Sequence, residues 1–180
     1  MGATSPTKTV SVDEYLSNPE YRHSEYVDGE VVALNVGTQD HGSIQVNCGF
    51  FFKQYFLANP IGYAAAELHC RLTIGGRERY RLPDVAVVLG ERARGAQYLD
   101  RAPDFVIEIR SPEDSMPFLT RKMRDYFSNG TRLAWLVLPE EQTVMVLTPD
   151  GPPDSFGVGE TLDGGTVLPG LSVAVADLFV

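Results

Sequence analysis

The sequence predicts a mixed α/β fold, an α+β arrangement in which helices flank a central mixed β-sheet, with an N-terminal β-hairpin extension. Asp28-Gly29 lies between two β-prone runs, which is a strong hairpin signal. Apolar strands at Asp104–Ile109 and Leu133–Leu138 enclose a helix over Met116–Asn129, and this order predicts a right-handed parallel crossover. The 180 residues contain no internal repeat or linker, so we expect a single domain over residues 1–180.

The first third of the chain predicts two helices separated by the hairpin. Ser11-Val12-Asp13-Glu14 is a capping box, so a short helix is expected to begin there and to end before Pro19. The hairpin follows over Glu25–Val32. A longer helix is expected from Thr38 to Ala58, buried over much of its length, with the Phe50-Phe51-Phe52 run in the core.

Alternating and β-branched runs after this helix predict a series of strands. They are expected at Gly62–Glu67, His69–Ile74 and Tyr80–Leu89, with a Gly75-Gly76 turn before the last one. Beyond the crossover, the sequence predicts a strand at Thr143–Thr148, a Gly/Pro-rich stretch at Asp150–Gly165 and a short helix near Ala174–Leu178.

Charge and composition exclude several classes of protein. A net charge of -9 argues against broad non-specific binding to nucleic acid or membranes. However, 12 of the 15 basic residues lie between Glu67 and Arg132 against 10 acidic ones, so this segment would tolerate an anion. Two isolated cysteines, no apolar leader in the first ten residues and no membrane-length apolar stretch predict a cytoplasmic protein. The sequence has no phosphate-binding glycine loop, no serine-hydrolase elbow and no zinc-ligand spacing.

Three charged residues occupy positions that a sequence selected only for folding would rarely use. Asp84 opens an apolar strand and Glu108 interrupts another, and a carboxylate there is costly unless it is paired, hydrogen-bonded or bound to metal. Lys122 lies four residues from both Phe118 and Tyr126, so it is expected on the apolar face of its helix, directed at the strand of Glu108. The other side of that helix is expected to carry Arg121, Arg124 and Asp125.

This set of residues admits two interpretations. Two carboxylates on neighbouring strands can bind a hard cation such as Mg²⁺, and a nearby lysine can then help to hold a phosphodiester. Alternatively, Glu108 and Lys122 form a buried structural ion pair, and Asp84 only caps a strand or turn. The residues alone leave both possibilities open.

Several segments together resemble a known family, the Uma-two family of endonucleases, which is a branch of the PD-(D/E)xK nuclease superfamily. The matching segments are Pro83-Asp84-Val85, Pro103–Pro112, Lys122 with Tyr126 and Gly130, Trp135–Pro139, Asp28-Gly29-Glu30 and His41. The resemblance extends from about Val10 to Leu147. It implies a restriction-endonuclease-like core that binds Mg²⁺ or Mn²⁺.

The resemblance also implies roles for individual residues. Asp84, Glu108 and the backbone carbonyl of Ile109 would bind the metal, and Lys122 would be the catalytic lysine that positions and activates water. The superfamily usually has its lysine two residues after the acidic one, where this chain has Arg110. Arginine cannot act as a base, although it can contact a phosphate.

Four accessory residues are weaker candidates. Glu30 and Glu67 could be further site carboxylates, but a glutamate after Asp-Gly is usually solvated, and one at a strand end can protect a sheet edge. His41 could orient a phosphate or water, or simply lie beside a helix cap. Arg110 is a possible phosphate contact.

The sequence therefore predicts a metal-dependent endonuclease that hydrolyses phosphodiester bonds in DNA. The alternatives are a catalytically inert binding or assembly module of the same fold, and a metal-dependent hydrolase of a small phosphorylated substrate. DNA binding is expected to be weak and metal-dependent, because few basic residues are available to release counterions. We expect no membrane partner, and a homodimer or higher homo-oligomer, because nucleases that cut both strands often pair two sites by symmetry.

Overall fold

The computed structural model describes residues 9–35, 37–92 and 95–180. The first eight residues, which form most of the segment expected to lack a leader, lie outside these ranges. The α-helices are Val12–Ser17 (α1), Gln39–Ala58 (α2) and Met116–Phe127 (α3), and short 3-10 turns occur at Pro19–Tyr21 and Val175–Leu178. Among the described residues, no helix combines the length and the apolar character needed to cross a bilayer.

The strands of the first half are Ser24–Val27 (β1), Glu30–Ala33 (β2), Gly62–Ala66 (β3), Cys70–Ile74 (β4), Arg77–Arg81 (β5) and Val85–Leu89 (β6). The strands of the second half are Phe105–Ile109 (β7), Leu133–Leu138 (β8), Thr143–Leu147 (β9), Asp154–Gly157 (β10), Thr161–Gly164 (β11) and Leu168–Ala174 (β12). The last three were not predicted, because they lie in and beyond a Gly/Pro-rich stretch without a clear alternating pattern.

Six strands of the described chain form the central sheet, in the order β10-β9-β8-β7-β6-β3. β7 and β8 pair in parallel across α3, whereas the other neighbours are antiparallel. The sheet is therefore mixed and the helices pack on it, as predicted. The crossover places the end of β7, where Glu108 lies, beside α3.

The predicted hairpin is part of a second sheet, with the order β2-β1-β5-β4. β1 and β2 pair antiparallel on either side of Asp28-Gly29, and β1 joins β5 where Tyr26 lies opposite Tyr80. Because β5 continues along the chain towards β6, this second sheet is held close to the central sheet. The hairpin thus contributes side chains to the region between the two sheets.

Alternation along β7 divides its side chains between two cores. Phe105, Ile107 and Ile109 pack on the side of α2, where Phe105 lies 5.0 Å from Trp135 between ring centroids. Val106 packs on the side of α3. Because successive side chains of a strand point to opposite faces, Glu108 belongs to the same face as Val106. A carboxylate is thereby placed inside the core beneath α3.

The strand predicted over Tyr80–Leu89 is wrong in one respect, because it is two strands in different sheets. β5 ends at Arg81 and β6 begins at Val85, with Pro83 between them. Proline has no N–H to donate to a ladder and fixes its own backbone angle, so it interrupts the strand. Asp84 therefore lies at the corner where the chain passes from one sheet to the other.

The prediction that α2 is buried over much of its length is also wrong. Its buried residues are Ile44, Cys48, Phe52 and Tyr55, which follow one face at helical spacing. The side of α2 turned away from the sheet carries Val46, which is 70% exposed, and Phe50, which is 55% exposed. Only Phe52 of the three consecutive phenylalanines is fully buried, since one helix face alone contacts the central sheet.

Gly62 offers a test of how closely β3 approaches β6, and Gly49 in α2 is the control. A β carbon at Gly62 would overlap the carbonyl oxygen of Val88, whereas one at Gly49 in α2 would meet nothing. We expect Gly62→Ala to lower the free energy of unfolding by about 1–3 kcal/mol through overpacking. Gly49→Ala should raise it by about 0.5–1 kcal/mol, because alanine favours a helix. Urea denaturation measures both, and equal stabilities would contradict the close strand approach.

Candidate active site

A cleft of about 200 Å³ opens where the first turns of α2 meet the ends of β6 and β7 and the face of α3. Its lining includes Asp84, Glu108 and Lys122, the three residues that the sequence singled out. His41, Gln45, Glu67, Ser111 and Asp114 also contribute to the lining. The fold therefore brings the predicted carboxylates and lysine to one concave site.

Asp84 is fixed at the sheet corner by contacts to both its backbone and its carboxylate. The amide of Ile109 donates to Oδ2 at 2.6 Å, and Gln45 Nε2 donates to the backbone carbonyl of Asp84 at 2.9 Å. Burial raises the pKa of Asp84 to about 6, although Lys122 and the Ile109 amide oppose the increase. Without a further positive charge, this carboxylate is therefore easy to protonate.

His41 lies above Asp84 and faces it with a nitrogen that makes no hydrogen bond. Its Nε2 is 3.1 Å from Asp84 Oδ1, but the alignment is unsuitable for a hydrogen bond, and no other described residue provides one. Burial lowers the pKa of His41, so its imidazole is mainly neutral at pH 7. The cleft thus contains an imidazole nitrogen that lies against Asp84 without a hydrogen bond to any described residue.

Glu108 is bound at both carboxylate oxygens by side chains of α3. Lys122 Nζ lies 2.6 Å from Oε2, and the Tyr126 hydroxyl donates to Oε1 at 2.7 Å. Lys122 and Tyr126 are four residues apart and share one helix face, as the sequence indicated. Burial raises the pKa of Glu108, and repulsion from Asp84 adds to this increase, while the attraction of Lys122 only partly opposes it.

Lys122 also contacts Glu25 on β1, a partner that the sequence did not reveal. Glu25 Oε1 lies 3.0 Å from Lys122 Nζ, and Glu25 is completely buried. Burial alone would lower the pKa of Lys122, but Glu108, Glu25 and Asp84 outweigh it and hold that pKa above its usual value. Lys122 is therefore protonated in the folded chain.

Further bonds hold Glu25 in place. Arg81 NH1 lies 2.5 Å from Glu25 Oε2, and the amide of Leu82 donates to Oε1 at 3.1 Å. Burial would raise the pKa of Glu25, but Lys122 and Arg81 outweigh this effect and keep it below its ordinary value. A glutamate in a short hairpin strand is usually solvated, so the local sequence gave no signal of this role.

The prediction that Asp125 lies on the side of α3 away from the core is wrong. It is buried, accepting bonds from Arg81 at 2.5 and 2.9 Å and from Arg79 at 2.7 Å. The physical reason is that the second sheet approaches α3, so this helix has buried contacts on two sides. Arg79 in turn pairs with Asp28 in the hairpin turn at 2.5 Å. We call the resulting series the ion-pair chain: Asp28, Arg79, Asp125, Arg81, Glu25, Lys122 and Glu108.

Of the remaining accessory candidates, one lies in the cleft and two lie outside it. Glu67 lines the cleft, with His23 Nδ1 3.8 Å from its carboxylate. Glu30 is exposed on β2 and is not part of the cleft lining. Arg110 NH1 lies 3.2 Å from Glu141 Oε1, and its side chain faces a neighbouring depression. A phosphate in the cleft would therefore not meet Arg110 in this conformation.

The donor set fits a hydrated hard cation better than a metal enclosed by protein ligands. Within the described parts of the chain, no group of three or more His, Cys, Asp or Glu residues is arranged to hold a metal. Mg²⁺ usually binds through one or two carboxylates and keeps several waters. Asp84 and Glu108 would supply those carboxylates, because each hydrogen-bonded carboxylate oxygen retains a second lone pair.

Comparisons with known proteins agree with this fold. The family model Uma2, described as "Putative restriction endonuclease", matches residues 12–176. The crystal structure of "a putative nuclease belonging to DUF820" from Anabaena variabilis superposes with a TM-score of 0.82 at 29% identity, covering 94% of this chain and 97% of that one.

A curated relative from Synechocystis sp., an uncharacterized protein, is 27% identical over 128 residues. The match covers 70% of this chain and 66% of that protein, just under two thirds of its length. The resemblance inferred from the motifs is confirmed by the family model, and the restriction-endonuclease-like fold class by the structural neighbour. Since the family model spans nearly all of the chain, this protein belongs to the Uma2 family.

Proposed function

We propose that this chain is an endonuclease that uses Mg²⁺ or Mn²⁺ to hydrolyse phosphodiester bonds in DNA. The observation that carries the proposal is the convergence of Asp84, Glu108 and Lys122 in one cleft. Membership in a family described as "Putative restriction endonuclease" supports nuclease chemistry in general. The identity of the metal and of the substrate is part of the proposal.

The charges around the cleft support a divalent cation. In the described region, the ion-pair chain together with Asp84 contains the cations Arg79, Arg81 and Lys122 and the carboxylates Asp28, Glu25, Asp84, Glu108 and Asp125. Carboxylates thus exceed cations by two negative charges when all are ionised. Burial is the main cause of the raised pKa values of Asp84 and Glu108, and repulsion from neighbouring carboxylates adds to it. A divalent cation would neutralise the excess negative charge.

Asp84 and Glu108 would hold the cation, with the carbonyl of Ile109 as a further oxygen ligand. When bound, the cation supplies a Lewis acid beside the phosphate. Asp84 is already oriented by the Ile109 amide and by Gln45, so little reorganisation is needed for it to bind a metal. With Nε2 carrying the proton, His41 would donate an imidazole N–H to a water or to a phosphate oxygen on the same side of the cleft.

Lys122 would act as a fixed positive charge rather than as a base. An ammonium group has three N–H donors, and Glu25 and Glu108 account for two of them. The third can be directed at a phosphate oxygen, because Lys122 lines the cleft. Its raised pKa keeps the proton on the nitrogen while charge develops at phosphorus.

The same contacts favour a second candidate function, a catalytically inert binding or assembly module. Both oxygens of Glu108 are satisfied by Lys122 and Tyr126, which is what a purely structural ion pair requires. In that case the ion-pair chain would only hold the two sheets and α3 together. The two candidates differ in whether the cleft binds metal and whether the chain cleaves DNA.

Metal binding is the first prediction. We expect Mn²⁺ at about a hundredfold excess over its Kd to raise the melting temperature of the wild type by about 5–10 °C. Asp84→Asn and Glu108→Gln should lose this increase, because each removes a ligand charge from the cleft. Asp154→Asn, on the exposed strand β10, is the matched control and should retain it. Differential scanning fluorimetry makes the measurement, and indifference of the wild type to Mn²⁺ would overturn the metal site.

Loss of the Lys122 charge is the second prediction. Lys122→Gln keeps an N–H donor near Glu108 but removes the positive charge, so cleavage of plasmid DNA should slow by about 10²–10³-fold. Arg121→Gln, an exposed neighbour on α3, should cleave at the wild-type rate. Circular dichroism confirms that each variant is folded at the assay temperature. Wild-type cleavage by folded Lys122→Gln would exclude a catalytic role for this charge.

A further inference from the structure

A second concave site, the aromatic pocket, lies beside the cleft and is larger, at about 460 Å³. Tyr15, Tyr21, Arg22, His69 and Tyr98 line it, together with residues of the turn after α1. Its volume is within the usual range for pockets that bind small organic groups, about 300–1,000 Å³. The function proposed for the cleft does not use any of these residues.

The rings of the aromatic pocket form an ordered wall. Tyr15 is buried, its hydroxyl donates to the Ser24 carbonyl at 2.8 Å, and its ring stacks on Tyr21 at 6.2 Å with an interplanar angle of 14°. His69 meets the same ring edge-on at 6.2 Å. Tyr21 and Tyr98 are only half-buried, so part of each ring remains open to a ligand. Partly exposed rings on a fixed support are suited to stacking with a flat group.

Arg22 adds a positive charge at the rim of the aromatic pocket. It is exposed and forms no ion pair with any residue that the structure describes. A guanidinium can bind a phosphate through two N–H groups or stack on a ring. Stacking faces together with an unpaired guanidinium match the two parts of a nucleotide, its base and its phosphate.

The aromatic pocket and the cleft share a wall. Arg22 lines the pocket, and the next residue, His23, lines the cleft. Likewise Glu67 lines the cleft, and His69, two residues further on, lines the pocket. His69 Nε2 lies 3.1 Å from the carbonyl of Ser24, which ties these two segments together. The Cα atoms of residues one or two positions apart are at most about 7 Å from each other. The same two backbone segments therefore line both sites, which makes the sites neighbours.

We infer that the aromatic pocket binds an unpaired base of the DNA strand whose phosphate enters the cleft. This inference rests on the proposed function and narrows its substrate class to single-stranded or locally opened DNA. A base within a duplex is paired and stacked, so it cannot enter a pocket unless it leaves the helix. Stacking on tyrosine is tolerant of sequence because every base has a π face, so little sequence preference is expected at this pocket.

Thymidine 5′-monophosphate without divalent metal is the probe, and saturation-transfer difference NMR measures its Kd. Tyr21→Leu should weaken binding by about 5- to 150-fold. Arg22→Ala, at an exposed position, tests the pocket with little risk to folding and should also weaken binding. The matched controls are Tyr63→Leu and Arg92→Ala, since Arg92 lies 5.9 Å from the Tyr63 ring in a different depression. Both controls should bind like the wild type.

Wild-type affinity in Tyr21→Leu and Arg22→Ala would overturn the base site, and so would an equal loss in the two controls. Manganese-dependent cleavage of a single-stranded oligonucleotide, assayed on the same preparations, separates this outcome from the proposed function. If the wild type binds the nucleotide but does not cleave the oligonucleotide, the proposed nuclease activity is refuted, whereas nucleotide binding by the aromatic pocket is supported. A wild type that cleaves while the pocket variants bind normally would refute the pocket alone.

Discussion

The buried ammonium group of Lys122, held between Glu25 and Glu108, is the interaction on which the rest of this structure depends. Removing these three charges from water costs several kcal/mol for each ion unless other groups compensate. Here Arg81 and the hydroxyl of Tyr126 complete the bonding of the two carboxylates. The carboxylates come from the hairpin and the central sheet, and the ammonium comes from α3. One charge cluster therefore sets the relative position of three parts of the fold, and the cleft exists because that position is fixed.

The extent of the ion-pair chain argues that it does more than stabilise the fold. Well-packed apolar side chains often stabilise a core as well as a buried ion pair does, whereas removing one partner of such a pair costs about 3–5 kcal/mol. The chain begins in solvent at Asp28 and ends in the cleft with Lys122 and Glu108, so it connects the surface of the hairpin with the candidate active site. It holds a protonated lysine and a carboxylate in fixed orientations, which electrostatic catalysis requires. Under the proposed function, the network positions Lys122 in addition to stabilising the fold.

The sequence predicted those features whose physical cause is local. A carboxylate next to an apolar strand and a lysine on an apolar helix face are costly in their own segments, so Asp84 and Lys122 could be found without a structure. The role of Glu25 could not be found in this way, because the partners that offset the cost of burying its carboxylate lie far along the chain. Asp125 was assigned to the wrong side because helical periodicity reveals one buried face and does not show that a second sheet covers another. Pro83 gave a local signal for the strand break, but the apolar residues around it suggested one continuous strand.

The spacing of these partners along the chain has a consequence for how the protein acquires its site. Glu25 and Arg81 are 56 residues apart, and Arg81 and Asp125 are separated by a further 44. Such contacts close large loops and form only after much backbone entropy has been lost. A nascent or partly folded chain therefore lacks the arrangement that holds the Lys122 ammonium between Glu25 and Glu108 at the cleft. Folding is therefore a precondition for any chemistry in the cleft, because its charged groups come together only in the completed fold.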